Sequence, residues 1–438
     1  MTHRLFSRVI SWFWALGLSL SASSAFCQQS MQFSVPASAT TDALQGQIDW
    51  PQGRPQNWDG PVLLFISSAS PDDRDGWTVR ALETVWSKRV PLRDLSAALV
   101  RQGVAVIRFD NPGVLPPTKK CRETILRSGL TERVLWQRCM DLAIVSRYTP
   151  DRYLDHIEKV VFHVQNLMPA ARKQLVLFGF SEGLMHAAAL ADRGTVQLSG
   201  LISIGSPAER FDTATRWQGT SRIMESLDRF DINADGIVTN DEIKRGHKRG
   251  VNRFMNLAGW LSNNGQWDSH TRHLLADDME INYEQILKDF SEVSGAGQLE
   301  WKTQANGVRV PDVTEASMRL HFYGQTAPAD VMRRLEIPGL FMWGDKDRQV
   351  GVARQVDAIE QANKKGAKVI YRRFPARHHL LSKREDYDWL EQDFMPVIAQ
   401  EVSAFLSTHV RPLQTAAQRM PCGDQPSCKS LSMTATLP

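Results

Sequence analysis

Short apolar runs rich in β-branched residues alternate with amphipathic stretches over much of the chain. The runs at 46–50, 62–67, 104–109, 175–178, 198–204, 340–343 and 369–374 predict strands. Helical spacing of apolar residues marks 92–101, 153–167, 183–192 and 352–363, and a long last helix is predicted over 386–409. Strands alternating with helices predict an α/β fold, a mostly parallel sheet covered on both faces. The opening segment 31–50 adds candidate antiparallel edge strands. The rhythm stops between Pro207 and about Arg334, where the sequence is polar, helical in pattern and rich in Trp, Asn and Asp. That segment, 207–334, reads as an insertion from the C-terminal edge of the sheet. It divides the core into halves at 31–206 and 335–410. A smaller insertion at 115–150 follows the strand at 104–109, and the tail 411–438 is rich in Ser, Thr and Gln.

The first 27 residues have a different pattern. Arg4 and Arg8 precede an apolar run at 9–20 and then small residues, the order of a secretory signal peptide. The run is short for a membrane span, which needs ~20 residues. Cleavage after Ala25 or after Cys27 satisfies the small-residue rule. The mature protein is therefore expected to be periplasmic or secreted, with no membrane span, and its cysteines to meet an oxidising compartment. Pairs Cys121–Cys139 and Cys422–Cys428 are expected, because each closes a short loop. Composition adds little: of 438 residues, 42% are hydrophobic and 23% charged, so the chain is globular. The net charge of +4 gives no electrostatic case for a nucleic-acid partner. Oligomeric state is not readable from the sequence.

Residues 175–183 read LVLFGFSEG, an apolar strand running into G-x-S-x-G, and a helix pattern follows at once. This is the strand–turn–helix context in which a serine is exposed at the end of a sheet. A serine hydroxyl needs a base at neutral pH. Downstream stand Asp345 and Asp347 after the 340–343 strand, then His378 and His379 after the 369–374 strand. The order Ser, acid, His is the one this kind of site requires. The assignment is Ser181 as nucleophile, His379 as general base, and Asp347 orienting the imidazole, with Asp345 and His378 in reserve. The oxyanion donors would be the backbone N–H of Glu182 and one from the loop after the 62–67 strand, taken as Ser68.

These residues resemble the α/β-hydrolase superfamily, and most closely its bacterial serine hydrolases of the prolyl-oligopeptidase-like and dienelactone-hydrolase-like branch. That group shows G-S-G-P-x-D-R-D-G after the third strand, where this chain has SASPDDRDG at 68–76. It shows D-x-R-G after the next strand, here DNPG at 110–113, and G-H-S-E-G-G at the elbow, here GFSEGL at 179–184. It shows G-x-x-D, matching Gly344 to Asp347, and F-P-G-A-N-H, matching 374–379, the register that favours His379. The resemblance covers about residues 40–206 and 335–410. It implies an α/β-hydrolase fold with a helical lid insertion, no organic cofactor, and hydrolysis of a small-molecule ester or a short peptide. Both oxyanion-loop glycines are serine here, Phe180 replaces the His before the nucleophile, and Pro112 replaces a basic residue. A non-catalytic binding protein on the same scaffold is the competing class. The Asp73, Arg74 and Asp75 cluster is expected to pin the oxyanion loop by an internal ion pair.

Within the insertion, Asp231, Asn233, Asp235, Gly236, Ile237, Thr239 and Glu242 fit D-x-[DN]-x-[DN]-G-x5-E and resemble an EF-hand loop. Asp231, Asn233 and Asp235 offer side-chain oxygens, Ile237 its carbonyl, Thr239 a direct or water-mediated contact, and Glu242 a bidentate carboxylate. Ca²⁺ is the expected ion, with a structural role in the lid. No second loop of this template is legible, and a lone one in an exported protein implies weak binding, on the order of 0.1–1 mM. His270 and His273 lack a third ligand. Lys244, Arg245, Lys248, Arg249 and Arg253 read as a solvated face. Trp217, Trp260, Trp267 and Trp301 read as the insertion's own core.

Overall fold

The computed structural model describes residues 28–67, 72–76, 90–115, 121, 139–145, 147–252, 255–293, 301–303, 309–311, 320–321, 324, 326–385 and 390–410. The leader 1–27, Ser68 and the tail with Cys422 and Cys428 lie outside them. Eight strands form the central sheet: β1 (Gln29–Val35), β2 (Leu44–Trp50), β3 (Val62–Ile66), β4 (Ala105–Phe109), β5 (Leu175–Phe180), β6 (Gly200–Ile204), β7 (Gly339–Gly344) and β8 (Val369–Phe374). Their order in space is β1-β2-β4-β3-β5-β6-β7-β8. β2 pairs antiparallel with both β1 and β4, and every later pairing is parallel. This is the α/β-hydrolase fold.

Strand alternation splits the core into two layers. Val62, Leu64, Ile66, Leu175 and Leu177 face the layer built with helices α2 (Pro150–Leu167), α3 (Gly183–Arg193) and α4 (Val352–Lys364). Leu63, Phe65, Val176, Phe178 and Phe180 face the other, with α1 (Pro91–Arg101) and α5 (Met395–Phe405). Burial on both faces explains why these strands read as continuous apolar runs. The expected long last helix is shorter than its pattern: Gln392–Phe394 is a single 3-10 turn, α5 starts at Met395 with Pro396 in its first turn, and 386–389 lies outside the described residues. Proline fits only the first turn of a helix, so it sets that start. In the smaller insertion Cys121 is bonded to Cys139, and Val114 bridges Met140.

The large insertion leaves after β6 and returns before β7. It holds helices Phe211–Gly219, Ser221–Leu227, Asn240–Lys248 and the 25-residue Ser269–Val293. Ile223, Leu227, Phe230, Val238, Ile243 and Trp260 form its own small core, with Trp267 packed against it. Trp217 departs from the expected tryptophan core: it packs on Gly351 of the hydrolase core, with the Arg354 guanidinium over its ring.

Beneath the segment 72–76 runs a buried charge network. Arg108 donates to Asp49 at 2.8 and 3.2 Å and also bonds Asp75, while Ser96 donates to Asp49 at 2.7 Å. Arg74 forms a two-pronged pair with Asp110 at 2.6 and 3.1 Å. The expected ion pair inside the 73–75 cluster is not formed; Arg74 reaches the end of β4 instead, which ties the segment to the sheet rather than to itself. Burial alone would raise the Asp49 pKa, but Arg108 and three hydrogen-bond donors outweigh it and hold the carboxyl below its usual value. A depressed pKa gives stability that is present above the unfolded value of ~3.9 and lost as pH falls through the folded value. Arg108→Met strands the Asp49 charge, so urea denaturation at pH 7 should show a loss of about 3–5 kcal/mol. A midpoint equal to wild type would contradict this role.

Candidate active site

The elbow is shaped by close approach. Ser181 adopts φ 51°, a left-handed conformation, and its N–H donates to the Ile204 carbonyl at 2.8 Å. A Cβ at Gly183 would overlap the Ile66 carbonyl oxygen at the end of β3, and one at Gly179 would strike the Leu184 backbone. The G-x-S-x-G spacing is thus the condition for α3 to start directly behind the serine. Glu182 is the N-cap residue of α3, so its backbone N–H belongs to the positive end of that helix.

Three strand ends bring the chosen side chains together. His379 Nε2 lies 3.1 Å from Ser181 Oγ, and His379 Nδ1 lies 2.9 Å from Asp347 Oδ2. Asp347 is 4% and His379 6% exposed, so water is largely excluded from their hydrogen bond. The second Asp347 oxygen accepts the Gln349 N–H at 2.8 Å. Of the reserve residues, Asp345 is exposed and His378 stands apart from this line. Burial pushes the His378 imidazole below its usual pKa, and its Nδ1 is buried without a hydrogen bond. Beyond His379 the chain is strained: Leu380 and Leu381 have φ 48° and 61°.

On the far side of Ser181, His186 is fully buried, contacts the Glu182 carboxylate at 3.3 Å, and packs edge-on to Tyr153. Burial pushes the Tyr153 phenol above its usual pKa, and its hydroxyl donates to Asn111 Oδ1 at 2.8 Å. Ser67 donates to the same oxygen at 3.2 Å. This fixes the start of the loop after β3, whose Ser68 is among the residues left undescribed.

In the insertion loop, Asp231 Oδ2 accepts the Gly236 N–H at 2.9 Å, Asn233 Oδ1 the Asp235 N–H at 3.0 Å, and Asp235 Oδ1 the Ile237 N–H at 2.8 Å. Asp231 Oδ1 is buried and makes no hydrogen bond. That orphaned carboxylate oxygen fits a cation. Glu242 Oε2 accepts from the backbone and hydroxyl of Thr239 at 3.0 and 2.9 Å, capping its own helix, and its Oε1 accepts the Ile232 N–H at 3.4 Å. Those bonds, the Thr239 backbone one first, hold its carboxyl below the usual range. Among the described residues no group of three or more His, Cys, Asp and Glu stands ready-made around a metal.

The structure adds a second loop that the sequence hid. Val238 and Thr239 pair antiparallel with Trp267 and Gln266. Matching Val238 to Trp267 aligns Gly236, at φ 81°, with Gly265, at φ 92°. The first and twelfth positions then fall on Trp260 and Thr271, which carry no carboxylate. Asp268 and Thr271 close that loop instead, with N–H donations in both directions at 2.8 and 2.9 Å. Sequence reasoning also missed Gln349, Gln218, Arg222, Arg229 and Glu385, which no local motif marks.

No family model matches the chain, and no curated protein matches it. Solved structures similar to it include Est1E from Butyrivibrio proteoclasticus, at 11% identity and TM-score 0.40, covering 86% of this chain and 98% of that one. A dienelactone hydrolase from Anabaena variabilis has 14% identity and TM-score 0.39, covering 88% and 99%. An acylaminoacyl peptidase from Pyrococcus horikoshii has 11% identity and TM-score 0.41, covering 89% of this chain and 43% of that one. The fold assignment rests on the sheet order itself.

Gly183→Ala must push α3 off the end of β3. Urea denaturation should show a loss of about 1–3 kcal/mol, and an unchanged midpoint would contradict the contact.

Proposed function

We propose that the protein is an exported serine hydrolase that cleaves a carboxylic ester through an acyl-enzyme on Ser181. The observation that carries the reading is the single hydrogen-bonded line from Asp347 through His379 to Ser181 Oγ. In the reaction, His379 Nε2 takes the Ser181 proton as Oγ bonds the ester carbonyl carbon. The carbonyl electrons move to oxygen, where the N–H groups of Glu182 and Ser68 would receive the charge. Collapse breaks the bond to the leaving alkoxy group, which takes the proton from His379. Water then repeats the sequence with His379 as base, releasing the acid and restoring Ser181. Asp347 holds the imidazole with Nδ1–H toward itself, leaving Nε2 free to accept. A chain-length panel of p-nitrophenyl esters should be hydrolysed, and Ser181→Ala should lower kcat by more than about 10⁴-fold. Equal rates for the variant would contradict the assignment.

Export is supported by the leader's pattern and by the Cys121–Cys139 disulfide, which belongs to an oxidising compartment. Ca²⁺ completes the reading as a structural ion of the insertion. Asp231, Asn233 and Asp235 would supply side-chain oxygens, Ile237 its carbonyl, Thr239 a direct or water-mediated contact, and Glu242 a carboxylate released from its cap. Bound there, the ion would neutralise the loop's acidic side chains and tie the two flanking helices together. Ca²⁺ should raise the melting temperature, and the double variant Asp231→Ala, Glu242→Ala should abolish the shift; a melting curve indifferent to chelator would refute it.

A further inference from the structure

The insertion grips both loops that carry the acid and the histidine. Gln349, whose N–H bonds Asp347, is held by two side chains of the insertion. Arg222 Nη1 donates to its Oε1 at 2.9 Å, and Gln218 Nε2 donates to its carbonyl. Glu385, six residues past His379, is 8% exposed at its side chain and receives Arg229 at 2.6 and 3.3 Å. The Asn252 N–H donates to the same carboxylate at 3.2 Å, and Arg229 also donates to Asn252 Oδ1 at 2.6 Å. Asn252 in turn donates from Nδ2 to the Ser226 carbonyl at 2.6 Å. Arg229 stands two residues before Asp231, the first position of the cation loop. Asn252 lies just past Lys248, where the helix leaving that loop ends. One carboxylate on the histidine loop is therefore clamped by groups from both flanks of the cation loop.

The loop has a built-in reason to move those flanks. Glu242 Oε2 accepts from Thr239 and its Oε1 accepts the Ile232 N–H at 3.4 Å, while Asp231 Oδ1, eleven residues away in sequence, is buried without a partner. Joining the two around one ion would exchange the Glu242 hydrogen bonds for ion contacts, and so alter how the helix Asn240–Lys248 is held against Ser221–Leu227, and with it Asn252 against Arg229. Leu380 and Leu381, in left-handed conformations between His379 and Glu385, do not hold their geometry by local preference and depend on such external anchors.

We propose that Arg229 and Asn252 are positioning residues that couple the cation state of the 231–242 loop to His379 through Glu385, with Arg222 and Gln218 fixing Asp347 through Gln349. The inference rests on both the hydrolase and the calcium readings, and it makes the insertion a calcium-dependent control on the triad in addition to a cover for it. The alternative is a plain staple, in which the same bonds fasten the insertion to the core and cation binding is not felt at the histidine.

The experiment compares the full-length mature protein with Arg229→Met, Arg229→Lys and Glu385→Gln, each with CaCl₂ and with chelator. Calorimetry reads calcium binding, and hydrogen–deuterium exchange reads the peptides spanning 345–350 and 374–385. Ester hydrolysis reads kcat and KM separately. In wild type, calcium should slow exchange in both peptides and raise kcat on the order of tenfold, with KM within about twofold. Arg229→Met and Glu385→Gln should still bind one ion, yet lose the exchange response at 374–385 and the kcat response, and Arg229→Lys should restore part of both. Calcium binding with unchanged exchange at 374–385 in wild type would overturn the coupling. So would a full calcium response in Arg229→Met, with Glu385→Gln deciding if that variant does not fold. Absence of calcium binding would overturn the calcium reading and this inference with it. Absence of hydrolysis would overturn the hydrolase reading alone, and the exchange data would still decide the coupling.

Discussion

Everything at the site depends on one imidazole being held between two oxygens, 2.9 Å from Asp347 and 3.1 Å from Ser181. No local rule supplies that arrangement. The three residues come from the ends of β5, β7 and β8, and only a parallel sheet with its loops at one edge brings them within reach. The serine is fixed by the elbow, where Gly179 and Gly183 remove the Cβ atoms that would block α3. The aspartate is fixed by the Gln349 N–H. The histidine sits on the least regular of the three segments, followed by two left-handed leucines, and so is the member that most needs support from outside.

That support comes from the insertion. Its small core around Trp260 and Phe230 packs its helices together, and hydrogen bonds from Arg222, Gln218 and Arg229 reach the acid and histidine loops. On the opposite side, the Arg74–Asp110 and Arg108–Asp75 pairs fasten the segment 72–76 to the sheet. Charged pairs at these depths add little net stability over an apolar filling, but removing one partner is costly. They therefore act as constraints on where loops can go. The paired loop at 260–271 extends the same logic: it supports the 231–242 loop by strand pairing while Asp268 and Thr271 close it on themselves.

Much of this was legible where the signal is local. The strand runs mark the sheet because each strand is buried on both faces. The elbow is legible because Ser181, Gly179 and Gly183 meet a steric demand within five residues, and the 231–242 loop because the residues that fit its template share twelve consecutive positions. What was not legible acts across the chain. Arg222 meets Gln349 over a separation of 127 residues, and Arg229 meets Glu385 over 156. The partner loop carries no legible template because Trp260 and Thr271 stand where carboxylates would mark it. The last helix is shorter than its apolar spacing predicts because Pro396 fits only its first turn.

The most direct measurement is the reaction of the mature protein with a fluorophosphonate, read by intact mass and peptide mapping. The account predicts one stoichiometric adduct on Ser181, absent in Ser181→Ala and strongly slowed in His379→Ala. No adduct, or an adduct formed equally well without His379, would contradict the claim that this hydrogen-bonded line activates the serine.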